Sequence, residues 1–253
     1  MSEFHPDTAL VEAVHPSPNH GARRGSAPDA IVLHYTGMAS AEVALARLCD
    51  AAAAVSCHYL IFENGAIYQL VPEARRAWHA GTSFWAGESD MNSASIGIEL
   101  ANGGADFGSP PFTQAQIEAA IALCRDIIAR RKIPPQRILG HSDIAPFRKS
   151  DPGEAFPWAS LAQAGIGHYV EPVPIGDDRP LIRGSTGAEV EALQDMLAVY
   201  GYDIAVTALY EERTEAVVTA FQRHFRPARV DGKADRSTLA TLRALLAALP
   251  RLA

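Results

Sequence analysis

The sequence predicts an α/β fold, a mixed central sheet flanked by helices, followed by a second, small three-helix domain. Three observations carry this expectation. Up to about residue 169, short apolar runs of strand type alternate with helical stripes. The tract VEPVPIGDDRPLIR, residues 170–183, then concentrates proline and charge as linkers do. Beyond it, three apolar stripes at helical spacing follow one another with no strand pattern between them.

Taken in order, residues 1–28 are polar and rich in proline and glycine, and read as an extended N-terminal arm. Ile31-Val32-Leu33-His34-Tyr35-Thr36 is an apolar strand run interrupted by one histidine near its C-terminal end. Ser40 is placed to cap an alanine-rich helix over residues 41–54. Residues 58–62 and 66–71 flank Glu63-Asn64-Gly65, an Asn-Gly hairpin signal. In residues 95–100, Ile96, Ile98 and Leu100 alternate with Gly97 and Glu99, which sets Glu99 on the face opposite the isoleucines. Thr113 and Gln116 form a capping-box signature for a helix striped by Ile117, Ile121, Cys124 and Ile128, and Pro134-Pro135 ends it. Ile138-Leu139 leads into a long polar loop, so that residues 29–169 make the first domain and 170–183 the linker. In residues 184–253, the stripes are Val190, Leu193, Leu197 and Tyr200 before a C-capping Gly201, then Val217, Val218, Phe221 and Phe225, then Leu239, Leu242 and Leu246.

Composition narrows the class. The 253 residues suffice for one sizeable core and a satellite domain, and 48% hydrophobic with 20% charged residues is ordinary for a globular protein. No apolar run approaches the roughly 18 residues of a membrane span. A net charge of -7 argues against nucleic acid as the main partner, because polyanion binders usually carry a basic face. Cys49, Cys57 and Cys124 are odd in number and lack CxxC spacing, so no disulfide framework is expected. The first residues, MSEFHPDTALVEAVHPSPNHG, contain early acids and prolines and no apolar stretch of signal-peptide type. Both observations point to a reducing, cytoplasmic setting.

The chemistry concentrates in GHSDIAPFRKSDPG, residues 140–153. His141 and Asp151 can ligate a metal, and Lys149 can meet a negative charge. A third ligand is still needed, and the best candidate is His34 at its strand end. Two histidines and one carboxylate, with water in a fourth position, form a recognised set for catalytic zinc.

Five segments, IVLHYTG, SCHYLIFENG, AWHAG, NSASIGIEL and GHSDIAPFRKSDPGEAFPW, resemble in order the zinc-dependent N-acetylmuramoyl-L-alanine amidases of the type 2 amidase family. The resemblance runs from about Pro16 to Val170. It implies the type 2 amidase fold, His34, His141 and Asp151 as Zn2+ ligands, and Glu99 and Lys149 as catalytic partners, with Asp151 rather than cysteine as the third ligand, as in the bacterial branch. It sets His79 and Arg148 near the substrate groove, Arg148 toward a stem-peptide carboxylate. Residues 180–249 resemble the small three-helix peptidoglycan-binding domain, although Ala208-Leu209-Tyr210 departs from the glycine usual at that family's middle turn. The implied partners are peptidoglycan or muropeptide fragments. The second domain fits polymer in the periplasm, in tension with the cytoplasmic indications. Two other readings stay open at this point: a module that binds peptidoglycan without cutting it, and a zinc endopeptidase of the stem peptide. A domain that only tethers polymer also implies that a chain ending near Gly176 folds alone.

Overall fold

The computed structural model describes residues 4–25 and 27–249. Parts of the expected arm (residues 1–3 and 26) and the end of the second domain (250–253) lie outside the described residues. In chain order the elements are β1 (Ala13–Val14), β2 (His20–Ala22), β3 (Ala30–Tyr35), α1 (Ala41–Leu48), β4 (Tyr59–Ile61), β5 (Ile67–Gln69), β6 (Arg75–Ala77), α2 (Met91–Ala94), β7 (Ser95–Leu100), α3 (Gln114–Arg131), β8 (Ile138–Gly140), α4 (His141–Ile144), α5 (Trp158–Gln163), α6 (Ala188–Tyr200), α7 (Glu212–Phe225) and α8 (Arg236–Ala247).

The mixed sheet runs β1-β5-β4-β7-β3-β8, with β4 and β5 antiparallel as the Asn-Gly hairpin requires and β4, β7, β3 and β8 parallel. The arm is not merely extended. Its residues Ala13 and Val14 add an edge strand beside β5, and His20–Ala22 pair with β6 in a second, two-stranded sheet. Ser40 caps α1 as expected, but the helix ends at Leu48 rather than continuing to Ala54. Asp50 accepts the Ala52 N–H and starts a separate 3-10 turn, a local alternative that a short acid offers the backbone.

The alternation in β3 and β7 sorts the two faces of the sheet. Ile31, Leu33, Ile96, Ile98 and Leu100 enter a core with α3 and α5. In α3 the capping box forms, and the buried stripe is Ala120, Leu123, Cys124 and Ile127, with Ile117, Ile121 and Ile128 partly buried at its margins. Val32 and His34 lie on the opposite face. At the C-terminal ends of the parallel strands, that face carries the polar residues, where open α/β sheets place their ligands.

The second unit consists of three helices, α6, α7 and α8, with Gly201 at the C-terminus of α6 as expected. It is not held at the end of a free tether. Val32, Trp85, Met91, Leu139 and Ile144 share one apolar core with Leu197, Tyr202, Phe221 and Phe225. Trp85, 1% exposed, stands edge-on to Tyr202 at 4.9 Å between ring centroids. The backbone is joined as well, since Ala86 N–H donates to Gly201 O at 2.8 Å. The intervening tract is pinned to α8, Val173 N–H donating to Thr241 Oγ1 and Ser237 Oγ to Val173 O.

This packing reverses the expectation for a chain ending near Gly176. Such a chain uncovers Trp85, Met91 and Ile144. Each large apolar side chain returned to water forfeits about 1.5–3 kcal/mol, a serious loss against a total stability of about 5–15 kcal/mol. The expected result is a melting temperature lower by at least about 10 °C than that of the full chain, read by thermal unfolding of both proteins. Equal melting temperatures would mean that the shared core contributes nothing.

Candidate active site

Three strand ends and one loop build the site. His34 lies in register beside Glu99 on neighbouring parallel strands, so both side chains project from the same face. His141 opens α4 immediately after β8, and Asp151 follows ten residues later, tied back by the Ser142 N–H to Asp151 O bond of 2.9 Å. Gly97 sits on that same face between Ser95 and Glu99. A Cβ there would come within 2.4 Å of the His79 ring, so the glycine makes room for that ring to lie against the strand.

His34 Nδ1, His141 Nδ1 and Asp151 Oδ2 form a nearly equilateral triangle, with sides of 2.9, 2.9 and 3.1 Å. All three residues are buried, and they are a group that could hold a metal ion. The hydrogen bonds around them fix which nitrogens carry protons. Ser95 Oγ–H donates to Met91 O, a carbonyl that can only accept. Ser95 Oγ is thereby free to accept from His79 Nε2 at 3.3 Å, which makes His79 Nδ1 the acceptor for His34 Nε2–H at 3.0 Å. His141 Nε2 donates to Ala80 O at 3.1 Å. Both Nδ1 atoms are consequently bare lone pairs aimed at a carboxylate oxygen. Three acceptors at this separation repel one another unless a cation joins them, so the donor set fits a metal.

The electrostatics agree. Burial lowers His34 to about 4, with His141 adding to the effect and Asp151 opposing it. Burial would raise Asp151, but His141 and His34 reverse that and hold it below the usual carboxylate range. Burial, then the His34 and His58 rings, push His79 well below an ordinary histidine. Glu99 goes the other way, raised well above its normal value by burial and then by Asp151, with Lys149 opposing. Its Oε2 is buried and finds no hydrogen-bond partner among the described residues.

All seven residues singled out in the sequence, His34, His79, Glu99, His141, Arg148, Lys149 and Asp151, line one cavity of about 380 Å³ together with Tyr35, Arg47 and Trp78. Lys149 is exposed and forms no ion pair among the described residues. Arg148 donates Nη2 to Ala80 O and both Nε and Nη2 to Thr82 O, so it holds the 80–82 turn that also receives His141. His58 stays outside the ligand triangle, its Nδ1 accepting from Gly97 N–H. Trp85 belongs to the shared core and does not line the cavity. Sequence reasoning missed Ser95 and Asn92. Asn92 Oδ1 accepts from the His79 and Ala80 N–H groups and so fixes that turn.

Residues 24–154 match the family model described as N-acetylmuramoyl-L-alanine amidase, and residues 186–242 match one described as a putative peptidoglycan binding domain. The chain is 42% identical over 228 residues to N-acetylmuramoyl-L-alanine amidase AmiD of Escherichia coli (strain K12), covering 85% of this chain and 81% of that one. It belongs to the N-acetylmuramoyl-L-alanine amidases. The amidase also superposes on the structure of E. coli AmiD in complex with anhydro-N-acetylmuramic acid-L-Ala-D-gamma-Glu-L-Lys, with a TM-score of 0.75, 40% identity and coverage of 89% of this chain and 91% of that one. A second neighbour is AmpDh3 of Pseudomonas aeruginosa in complex with anhydromuramic pentapeptide, at a TM-score of 0.73, 31% identity and coverage of 90% and 94%. The amidase is accordingly a hydrolase of the bond between N-acetylmuramic acid and L-alanine, in preference to a non-cutting module or an endopeptidase. No helix among its described residues is long and apolar enough to cross a membrane.

Proposed function

We propose that the amidase holds Zn2+ through His34, His141 and Asp151, and that it cleaves muropeptides between the lactyl carbonyl and the L-alanine nitrogen. The observation that carries this is the triangle of converging lone pairs beside the unpartnered Glu99 oxygen, all in one cavity. Zinc in such a set supplies Lewis-acid chemistry suited to hydrolysing an amide near neutral pH. Glu99 accepts the proton of the attacking water and returns it to the departing nitrogen, work for which a carboxyl with a raised pKa is suited. Lys149 brings to the cavity an ammonium with no ion pair among the described residues, and stabilises the oxyanion as the carbonyl becomes tetrahedral. His79 and Arg148 line the same cavity as substrate-binding candidates, and their hydrogen bonds assign them a second task, orienting His34 and the turn that receives His141.

The substrate class follows from the relatives. Anhydromuramyl peptides sit in two of the solved neighbours, which supports the same class here. Residues 29–169 carry the chemistry, and 184–253, joined through 170–183, meet the peptidoglycan polymer, supported by the match of 186–242 to a wall-binding family. Three free thiols fit the cytoplasmic reading and the second unit fits a periplasmic one, a choice that cell fractionation decides. The reaction is tested by mass analysis of an anhydro-muropeptide and of sacculi after digestion. Stem peptides with a free L-alanine amine are expected, and fragments cut within the stem would overturn the assignment.

Lys149→Ala is expected to lower kcat about a hundredfold with zinc content unchanged, comparable to removing an oxyanion donor in other hydrolases. Steady-state kinetics and elemental analysis of the same preparation check this. An unchanged rate would return Lys149 to the status of a surface lysine.

A further inference from the structure

The wall-binding match assigns the second unit a role outside the catalytic site, yet its side chains reach the turn that carries a ligand. Asp143 lies two residues after His141 and its side chain is fully buried. Tyr202 OH donates to its Oδ1 at 2.8 Å, and His224 Nδ1 meets its Oδ2 at 2.7 Å. Both donors come from beyond the linker. From the other side Asp143 Oδ2 accepts the Gly140 N–H at 2.8 Å, closing the turn around His141. The bracing is stiff. Trp158 stacks on the His224 ring at 3.6 Å between centroids, and Gly140 is packed so closely on Pro152 that an added Cβ would come within 2.8 Å of it. Through the Ser142 N–H to Asp151 O bond, the same turn sets the position of the second ligand.

We propose that Tyr202 and His224 are positioning residues for the metal centre, so that the second unit completes the site as well as meeting polymer. The reasoning rests on the His34, His141 and Asp151 ligand reading. Groups hydrogen-bonded to metal ligands are worth roughly ten- to a hundredfold in affinity, and Tyr202 and His224 act one step further back, through Asp143 and the turn it closes around His141. Here those groups come from the unit beyond residues 170–183.

The test uses the full chain and zinc alone, with affinity read by chelator competition. Tyr202→Phe removes one hydroxyl and keeps the ring. His224→Leu removes the donor, whereas His224→Asn keeps an N–H close to the place of Nδ1. The Tyr202→Phe, His224→Leu double variant is expected to bind zinc at least about tenfold more weakly, with recovery in Tyr202→Phe, His224→Asn. Hydrogen exchange of the metal-free proteins supplies the second reading. Residues 138–152 should exchange faster in the double variant while α3 keeps its protection. Zinc affinity within twofold of the parent, together with unchanged exchange over 138–152, overturns the proposal. So does faster exchange that rises equally in α3, because that is general loosening. If the parent protein binds no zinc, the ligand reading fails, and exchange over 138–152 still decides whether the second unit braces the turn.

Discussion

Asp151→Ala is expected to abolish both metal binding and turnover. Asp151 Oδ2 stands 2.9 Å from His34 Nδ1 and 3.1 Å from His141 Nδ1, and it is the negative charge in the triangle. Without it, two imidazole lone pairs face each other at 2.9 Å in a buried site with no anionic ligand to offset a divalent cation. Elemental analysis after gel filtration should find no zinc in the variant, and activity should fall at least about 10⁴-fold, because a metal-assisted hydrolysis loses the ion that assists it. Full zinc content in Asp151→Ala would remove Asp151 from the ligand set. A pH dependence follows from the same group of residues. Protons compete with metal for His34 Nδ1, and burial lowers that histidine to about 4. Its folded-state value lies below the ordinary 6.5, so the unfolded chain binds more protons between those two values. Stability of the metal-free protein is therefore expected to fall as pH drops from about 6.5 to 4. Zinc should be retained to lower pH than at an exposed histidine pair, which an acid titration with a zinc indicator measures.

What the sequence made legible was the part of the site that depends on local pattern. His34 ends an apolar run, Glu99 occupies the polar phase of a period-two strand, and His141, Lys149 and Asp151 fall within one loop that a strand delivers. Parallel pairing of β3 with β7 and β8 then brings those ends together. The hairpin and the capping box were legible for the same reason, because each is specified by residues within a few positions of one another.

The rest depends on partners distant in the chain. Nothing in AWHAG says that His79 takes its proton arrangement from Ser95, sixteen residues later, or passes it to His34. Proline and charge in residues 170–183 mark a connection without saying whether the unit beyond it docks. The docking is decided by Trp85, Tyr202 and Phe225, which read equally well as members of two separate cores. Asp143 was visible inside the GHSDIAPFRKSDPG tract, but its meaning waits on Tyr202 and His224, fifty-nine and eighty-one residues away.

Glu99→Gln is expected to keep the fold and the zinc while kcat falls by about 10²–10⁴-fold, the range a positioned general acid and base contributes. Glutamine has nearly the same shape and remains polar, so the ligand triangle next to it is undisturbed. It cannot take up a proton from water at neutral pH and hand it to the leaving nitrogen. The environment supports that division between binding and chemistry. A buried carboxyl oxygen with no hydrogen-bond partner among the described residues costs stability. Glutamine removes the charge that burial and Asp151 disfavour. The variant should accordingly melt at the same temperature as the parent or slightly above it. The pairing of equal or higher stability with lost turnover is the signature to measure, by thermal unfolding and by single-turnover hydrolysis of a soluble muropeptide at saturating zinc. Turnover at the parent rate would show that another group accepts the proton. A loss of zinc in step with the loss of rate would instead make Glu99 part of the metal's support, and its unpartnered oxygen would then belong to the ion rather than to the water.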